Sequence, residues 1–108
     1  MTPDEASLPD PATLRAGLME ALDVAQWDWL RPHAKREVVI MVTAAMDLVD
    51  VGMAIATDNT HSVQRWIDEQ AIYKPTQQQL SMWNQTDELE FEALIVAPFV
   101  LVKEPAIA

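Results

Sequence analysis

Apolar positions along the chain change period several times, and each change marks an element. Leu14, Leu18, Ala21, Leu22 and Ala25 recur at helical spacing behind Asp10 and Pro11, a capping residue followed by a proline at the first helical position. The spacing predicts a helix that ends before Trp27 and is weakened in its middle by Gly17. Asp28 can cap a short helix through Lys35, with Pro32 placed awkwardly inside it. Residues 37–43, EVVIMVT, are continuous, apolar and rich in β-branched side chains, and read as a buried strand. From Ala44 or Ala45 the period is helical again. Asp47, Asp50, Ala54, Thr57 and Asp58 form one narrow stripe, while Leu48, Val49, Val51, Met53, Ile55 and Ala56 cover the rest. A helix apolar over most of its circumference is buried on more than one side, and Gly52 would permit close packing there.

After a break at Asp58-Asn59-Thr60, Val63, Trp66, Ile67 and Gln70 fall on one face of a further helix. Lys74-Pro75-Thr76 makes another break, and Thr76 with Gln79 fits a capping box ahead of a helix anchored by Leu80 and Trp83 and running to about Gln85. Residues 88–103 alternate clearly, with Leu89, Phe91, Ala93, Ile95, Ala97, Phe99 and Leu101 on one face. Pro98 cannot donate to a ladder, so it marks an edge, a bulge or two strands meeting. The order helix, short helix, strand, three helices, strand predicts an α+β domain over residues 10–104, with several helices on a small antiparallel sheet. Residues 1–9 and 105–108 read as tails. Two strands alone are marginal in water, which points to a sheet extended by homodimerisation. Glu88, Glu90, Glu92 and Pro98 would discourage pairing along part of that edge.

Composition narrows the function. The 108 residues suit one domain, and half of them are apolar. Seven Lys and Arg against 17 Asp and Glu give a net charge of −10, which argues against direct contact with nucleic acid or an anionic membrane surface. With no cysteine there is no disulfide, thiol nucleophile or Cys-bound zinc, and with two glycines there is no phosphate-cradling loop. No basic start followed by a long apolar run marks a secretion signal, so a cytoplasmic location is the default. Residues 38–57 come closest to a membrane span, but Asp47 and Asp50 in their middle would each cost about 2.5–3.5 kcal/mol at a bilayer centre. The stretch reads instead as buried core.

Three groups of residues could carry chemistry. Asp47 and Asp50, at i and i+3, could offer carboxylates to a hard cation, although a solvated helix stripe is the simpler reading. Arg31, His33, Lys35 and Arg36 reverse the charge locally and could hold a carboxylate, a phosphate or an acidic segment. Equally, they could pair with the chain's own acids, for instance near Glu88–Glu92. His33 and His61 are the only histidines, and neither stands in a metal-binding or catalytic spacing. No catalytic residue, resident metal or cofactor is therefore implied. Of the four tryptophans, Trp66 and Trp83 sit at core anchor positions. Trp27 and Trp29, two apart, diverge by about 200° on a helix and are interface candidates.

Several of these segments together resemble a small bacterial family known as domain of unknown function 2288. They are Trp27-x-x-Leu30, Pro32-His33-Ala34, Val38–Val42, Asp47-Leu48-Val49, Ala54, Ala56, Asp58, Val63-x-x-Trp66, Lys74-Pro75-Thr76, Trp83 and the ending Ala93–Val102. The resemblance covers about residues 12–104, and its ending is the most specific part. A Gln at Lys103 and a Gly at Gln70 would fit the family pattern better. The resemblance implies a compact bacterial cytoplasmic protein and supplies no activity. The favoured reading is a non-enzymatic interaction or assembly domain with a protein partner, a second copy included. The alternative is a small-anion or divalent-metal site built from His33, Arg36, Asp47 and Asp50. A third reading, an acidic mimic of nucleic acid, fits less well because the acids are spread along the chain.

Overall fold

The computed structural model describes residues 10–86 and 88–104, so both sequence-assigned tails lie outside the described residues. Helix α1 (Pro11–Ala21) starts where its cap predicts: Asp10 Oδ1 accepts the Thr13 N–H at 2.8 Å. It stops one turn sooner than the apolar spacing suggested. Leu22 turns extended, and Asp23–Gln26 form strand β1. The spacing misled because it joined two cores. Leu14, Leu18 and Leu22 pack into one, whereas Ala25 packs into the other.

The chain continues as α2 (Trp27–Lys35), β2 (Val39–Val42), α3 (Leu48–Ala56), α4 (Thr60–Asp68), β3 (Ile72–Tyr73), α5 (Gln77–Asn84), β4 (Glu90–Val96) and β5 (Phe99–Lys103). The α+β class holds, with five strands in the order β1-β4-β5-β2-β3. The sheet is mixed rather than wholly antiparallel, since β5 runs antiparallel to β4 but parallel to β2. The alternating run 88–103 is two strands, turned back at a cis Ala97–Pro98 bond with Val96 opposite Phe99. A two-residue turn shifts the alternation by one. Ala93 and Ile95 therefore share a face with Val102 and Val100, while Leu94 faces the same way as Leu101.

Helices cover both faces. On one, α1, α3 and α4 bury Val42, Ile72, Leu94, Val96 and Leu101. On the other, α2 and α5 bury Val39, Met41, Phe91, Val100 and Val102. Residues 38–57 divide between β2 and α3, and no helix among the described residues is long and apolar enough to cross a membrane. Gly52 sits where α3 crosses the sheet. A Cβ there would meet Leu94 Cδ2 at 2.9 Å, whereas one on Gly17 would meet nothing within 4 Å.

Three helices end in the same way. Glu37, Asp58 and Gln70 take φ of 63°, 58° and 59° just past α2, α3 and α4. The next amides, of Val38, Asn59 and Ala71, donate back to His33, Ala54 and Trp66 carbonyls at 3.2, 2.7 and 2.8 Å. This is the Schellman closure, which normally uses glycine at the left-handed position. Gln70 thus holds a position that glycine would fill without left-handed strain.

A polar tie fastens β3, α5 and the end of β5. The Tyr73 hydroxyl donates to Glu104 Oε2 and accepts from Gln79 Nε2 at 2.9 Å. Gln79 also closes the α5 capping box, its Oε1 accepting the Thr76 N–H at 3.0 Å. Burial first, and then the bond to Glu104 and its charge, push the Tyr73 phenol above its ordinary value of 10.0. The native state thus holds this proton more tightly than the unfolded chain. The stability that Tyr73 contributes is complete below pH 10 and is lost as pH rises through the folded value.

Chemical denaturation should separate the two glycines: Gly17→Ala is expected to stabilise the fold by about 1 kcal/mol. Gly52→Val is expected to destabilise it by about 2 kcal/mol or more, because the α3–sheet contact has no room for the branch. Gln70→Gly is expected to raise stability by about 1 kcal/mol, the left-handed strain relieved less the added chain entropy. Tyr73 is the only tyrosine, so ultraviolet titration reads it alone. Its midpoint should lie above 10.0 in the folded chain and return to the ordinary value in denaturant.

Candidate functional site

Helix α2 and its C-cap carry three of the chain's seven Lys and Arg and two of its tryptophans, and the helix flanks do different things. Trp27 is only 3% exposed. Its ring meets Trp83 edge-on at 5.2 Å and Phe91 at 6.1 Å, and Trp83 meets Phe91 at 5.0 Å. Its indole N–H donates to Asn84 Oδ1 at 2.8 Å, which satisfies the one polar atom that burial would otherwise strand. Trp27 was an interface candidate on sequence grounds. It is instead a core residue, because its ring closes an aromatic cluster under α2 and α5.

Trp29 lies on the opposite flank, 46% exposed. The His33 ring stands 4.6 Å from it at 47°, and Arg36 Nη2 donates to His33 Nδ1 at 2.9 Å. Lys35 also occupies the last turn of α2, where positive charge suits the helix dipole. His33 and Arg36, two of the residues singled out from the sequence, are therefore neighbours.

Asp47 and Asp50 are elsewhere. Asp47 is the N-cap of α3, its Oδ1 accepting the Val49 N–H at 2.7 Å, rather than part of a helix stripe. Asp50 pairs with Arg15 of α1 at 2.8 Å, with both side chains about half exposed. Since α3 covers one face of the sheet and α2 the other, the sheet stands between these carboxylates and His33–Arg36. The four residues do not converge on one site.

What converges instead is a groove of about 400 Å³ between α2 and α5. Its floor includes Trp27, Val39 and Leu80, and its rim carries Arg31, Lys35 and Lys74. Asn84 and Asp28 hold Arg31: Nε donates to Asn84 Oδ1 at 2.9 Å, and Nη2 lies 3.1 Å from Asp28 Oδ1. That places the partner of Arg31 on its own helix, not among the acids at 88–92. Lys74 stands 3.7 Å from Glu37, both well exposed, a pairing of little energetic weight.

A second concavity, about 360 Å³, lies beside β1 and is lined by Val24, Ala25, Trp29, Ala93 and Ile95. Ile95 is 55% exposed although its alternation is that of a core strand, because neither α2 nor α5 reaches the hairpin end of that face. Sequence reasoning drew attention to the 31–36 island but missed Lys74 and Asn84, which α5 and the segment before it bring across. Their one signal was the Lys74-Pro75-Thr76 break, which places a cation just before a helix start.

Comparison with known proteins adds the following. A family model described as a protein of unknown function, DUF2288, matches residues 13–104. The solution NMR structure of PA1075 from Pseudomonas aeruginosa is similar, with a TM-score of 0.73 and 30% identity over 94% of this chain and 93% of that one. Among curated proteins, none matches the chain.

Proposed function

The chain belongs to the DUF2288 family of proteins of unknown function, and from its geometry we propose a non-enzymatic interaction domain that pairs with a second copy of itself through strand β1. The observation that carries this reading is a free strand edge beside an exposed apolar patch. Strand β1 is one of the two outer strands of the sheet. The Trp27 N–H bonds to the Leu89 carbonyl at 2.9 Å, and Ala25 lies opposite Phe91. In that ladder the backbone groups of Val24 and Gln26 point away from β4. Trp29 and Ile95, two of the six large apolar side chains left exposed among the described residues, line one concavity at that edge, and Val24, opposite Glu92, exposes a third on the other face of the same strand. Clustered apolar exposure of this kind marks an interaction surface, unlike apolar residues scattered singly.

A second copy fits this edge on symmetry. A two-fold axis normal to the sheet sets Val24 opposite the partner's Gln26 and Ala25 opposite the partner's Ala25. The outward groups then exchange backbone bonds, every side chain keeps its face, and no like charges stand opposed. Both Trp29 concavities fall on the same face of the joined sheet. In the single chain, Asp23 Oδ1 accepts the outward Val24 N–H at 2.8 Å, an acidic cover that pairing displaces.

Sedimentation at high micromolar concentration tests the reading. A mass twice that of the chain is expected. Trp29→Arg and Ile95→Arg, both at exposed positions, should each weaken association by about 2 kcal/mol, and Asp23→Ser should strengthen it. A monomer throughout that range, or a dimer indifferent to both arginines, would overturn it.

A further inference from the structure

The groove between α2 and α5 is chemically unlike the rest of the molecule. In a chain of net charge −10, three of the seven Lys and Arg stand on its rim, with Glu37 the one acid lining it. Arg31 is fixed by Asn84 at Nε and by Asp28 at Nη2, which leaves its Nη1 edge unengaged among the described residues. Lys35 forms no ion pair among the described residues, and Lys74 reaches Glu37 only at 3.7 Å. Beneath these cations the lining is apolar, with Ala34, Pro75 and Leu80 partly exposed and Trp27 and Val39 almost wholly buried.

We propose that this groove binds a small organic anion, its carboxylate or phosphate head held by Arg31, Lys35 and Lys74 and its apolar body lying against Ala34, Pro75 and Leu80. Charge complementarity selects the head, because three neighbouring cations gain from an anion that Glu37 alone does not supply. The apolar lining selects the body, since an inorganic ion would leave the exposed parts of Ala34, Pro75 and Leu80 uncovered. At about 400 Å³ the groove falls within the range of small-molecule sites. The proposal does not rest on pairing at β1, because Trp27 and Arg31 stand on the flank of α2 turned away from Trp29.

Nuclear magnetic resonance titration of the full chain tests it, with naphthoate, naphthyl phosphate, neutral naphthalenemethanol and inorganic phosphate as probes. Either aryl anion, or both, is expected to shift the Trp27 indole, Ala34 and Ser81 resonances, and their relative affinities identify the preferred head group. The neutral probe and inorganic phosphate should bind at least about tenfold more weakly. Lys35→Glu combined with Lys74→Glu, two exposed positions that leave the core intact, should lose about tenfold or more for the aryl anions. The proposal is overturned if the neutral probe matches the anions, if inorganic phosphate does so, or if the shifts map away from the groove. It is equally overturned if no aryl anion binds by about 10 mM, or if only an acidic peptide, run in parallel, perturbs these resonances.

Discussion

A strand buried on both faces must meet two packing requirements with one backbone, and β5 does so at the centre of this sheet. Val100 and Val102 face the aromatic layer under α2 and α5, and Leu101 between them faces the layer of α1, α3 and α4. All three are almost wholly buried. The neighbouring strands β4 and β2 likewise contribute to both cores, one on each side of β5, and the outer strands β1 and β3 hang from those. Such strands read as unbroken apolar runs, which is how Phe99–Val102 appears in the sequence.

Helix α2 is positioned by this arrangement and in turn helps to form both the α2–α5 groove and the concavity beside β1. Trp27 anchors it against Trp83 and Phe91, and the single oxygen of Asn84 receives both the Trp27 indole and Arg31 Nε. A buried packing contact is thereby linked through one amide to the orientation of a rim cation. On the other flank, Trp29 has no comparable aromatic partner among the described residues beyond His33. Two tryptophans two residues apart therefore have opposite fates, set by the turn of the helix and by which flank meets the sheet.

Local chemistry was legible in the sequence wherever a few neighbouring residues decide it. The Asp10 and Thr76 caps and the packing role of Gly52 follow from one side chain and its own turn, and the structure has all three. Elements that exist only by pairing were not legible. Strand β3 has two residues and owes its form to Met41 and Val42 opposite. Strand β1 carries spacing that suits a helix and is extended because β4 offers it a ladder. The face assignment beyond Pro98 depended on the number of residues in the turn, which alternation does not encode. The candidate site divided for a related reason. Asp47 and His33 are close in sequence, but β2 between them sends α3 and α2 to opposite layers.

The parallel neighbours β2 and β5 are joined by nearly the whole second half of the chain, with Val39 opposite Val100 some sixty residues on. The middle of the sheet is therefore a non-local contact, and its loop-closure entropy is overcome only once both cores can condense around it. On a ribosome, α1 through β4 must emerge before the strand that joins the two layers exists. Until then Val42 and Leu94 lack Leu101, and Met41 and Phe91 lack Val100 and Val102. The central strand of the sheet is thus the last to be synthesised, and closure of both layers waits on the end of the chain's last strand.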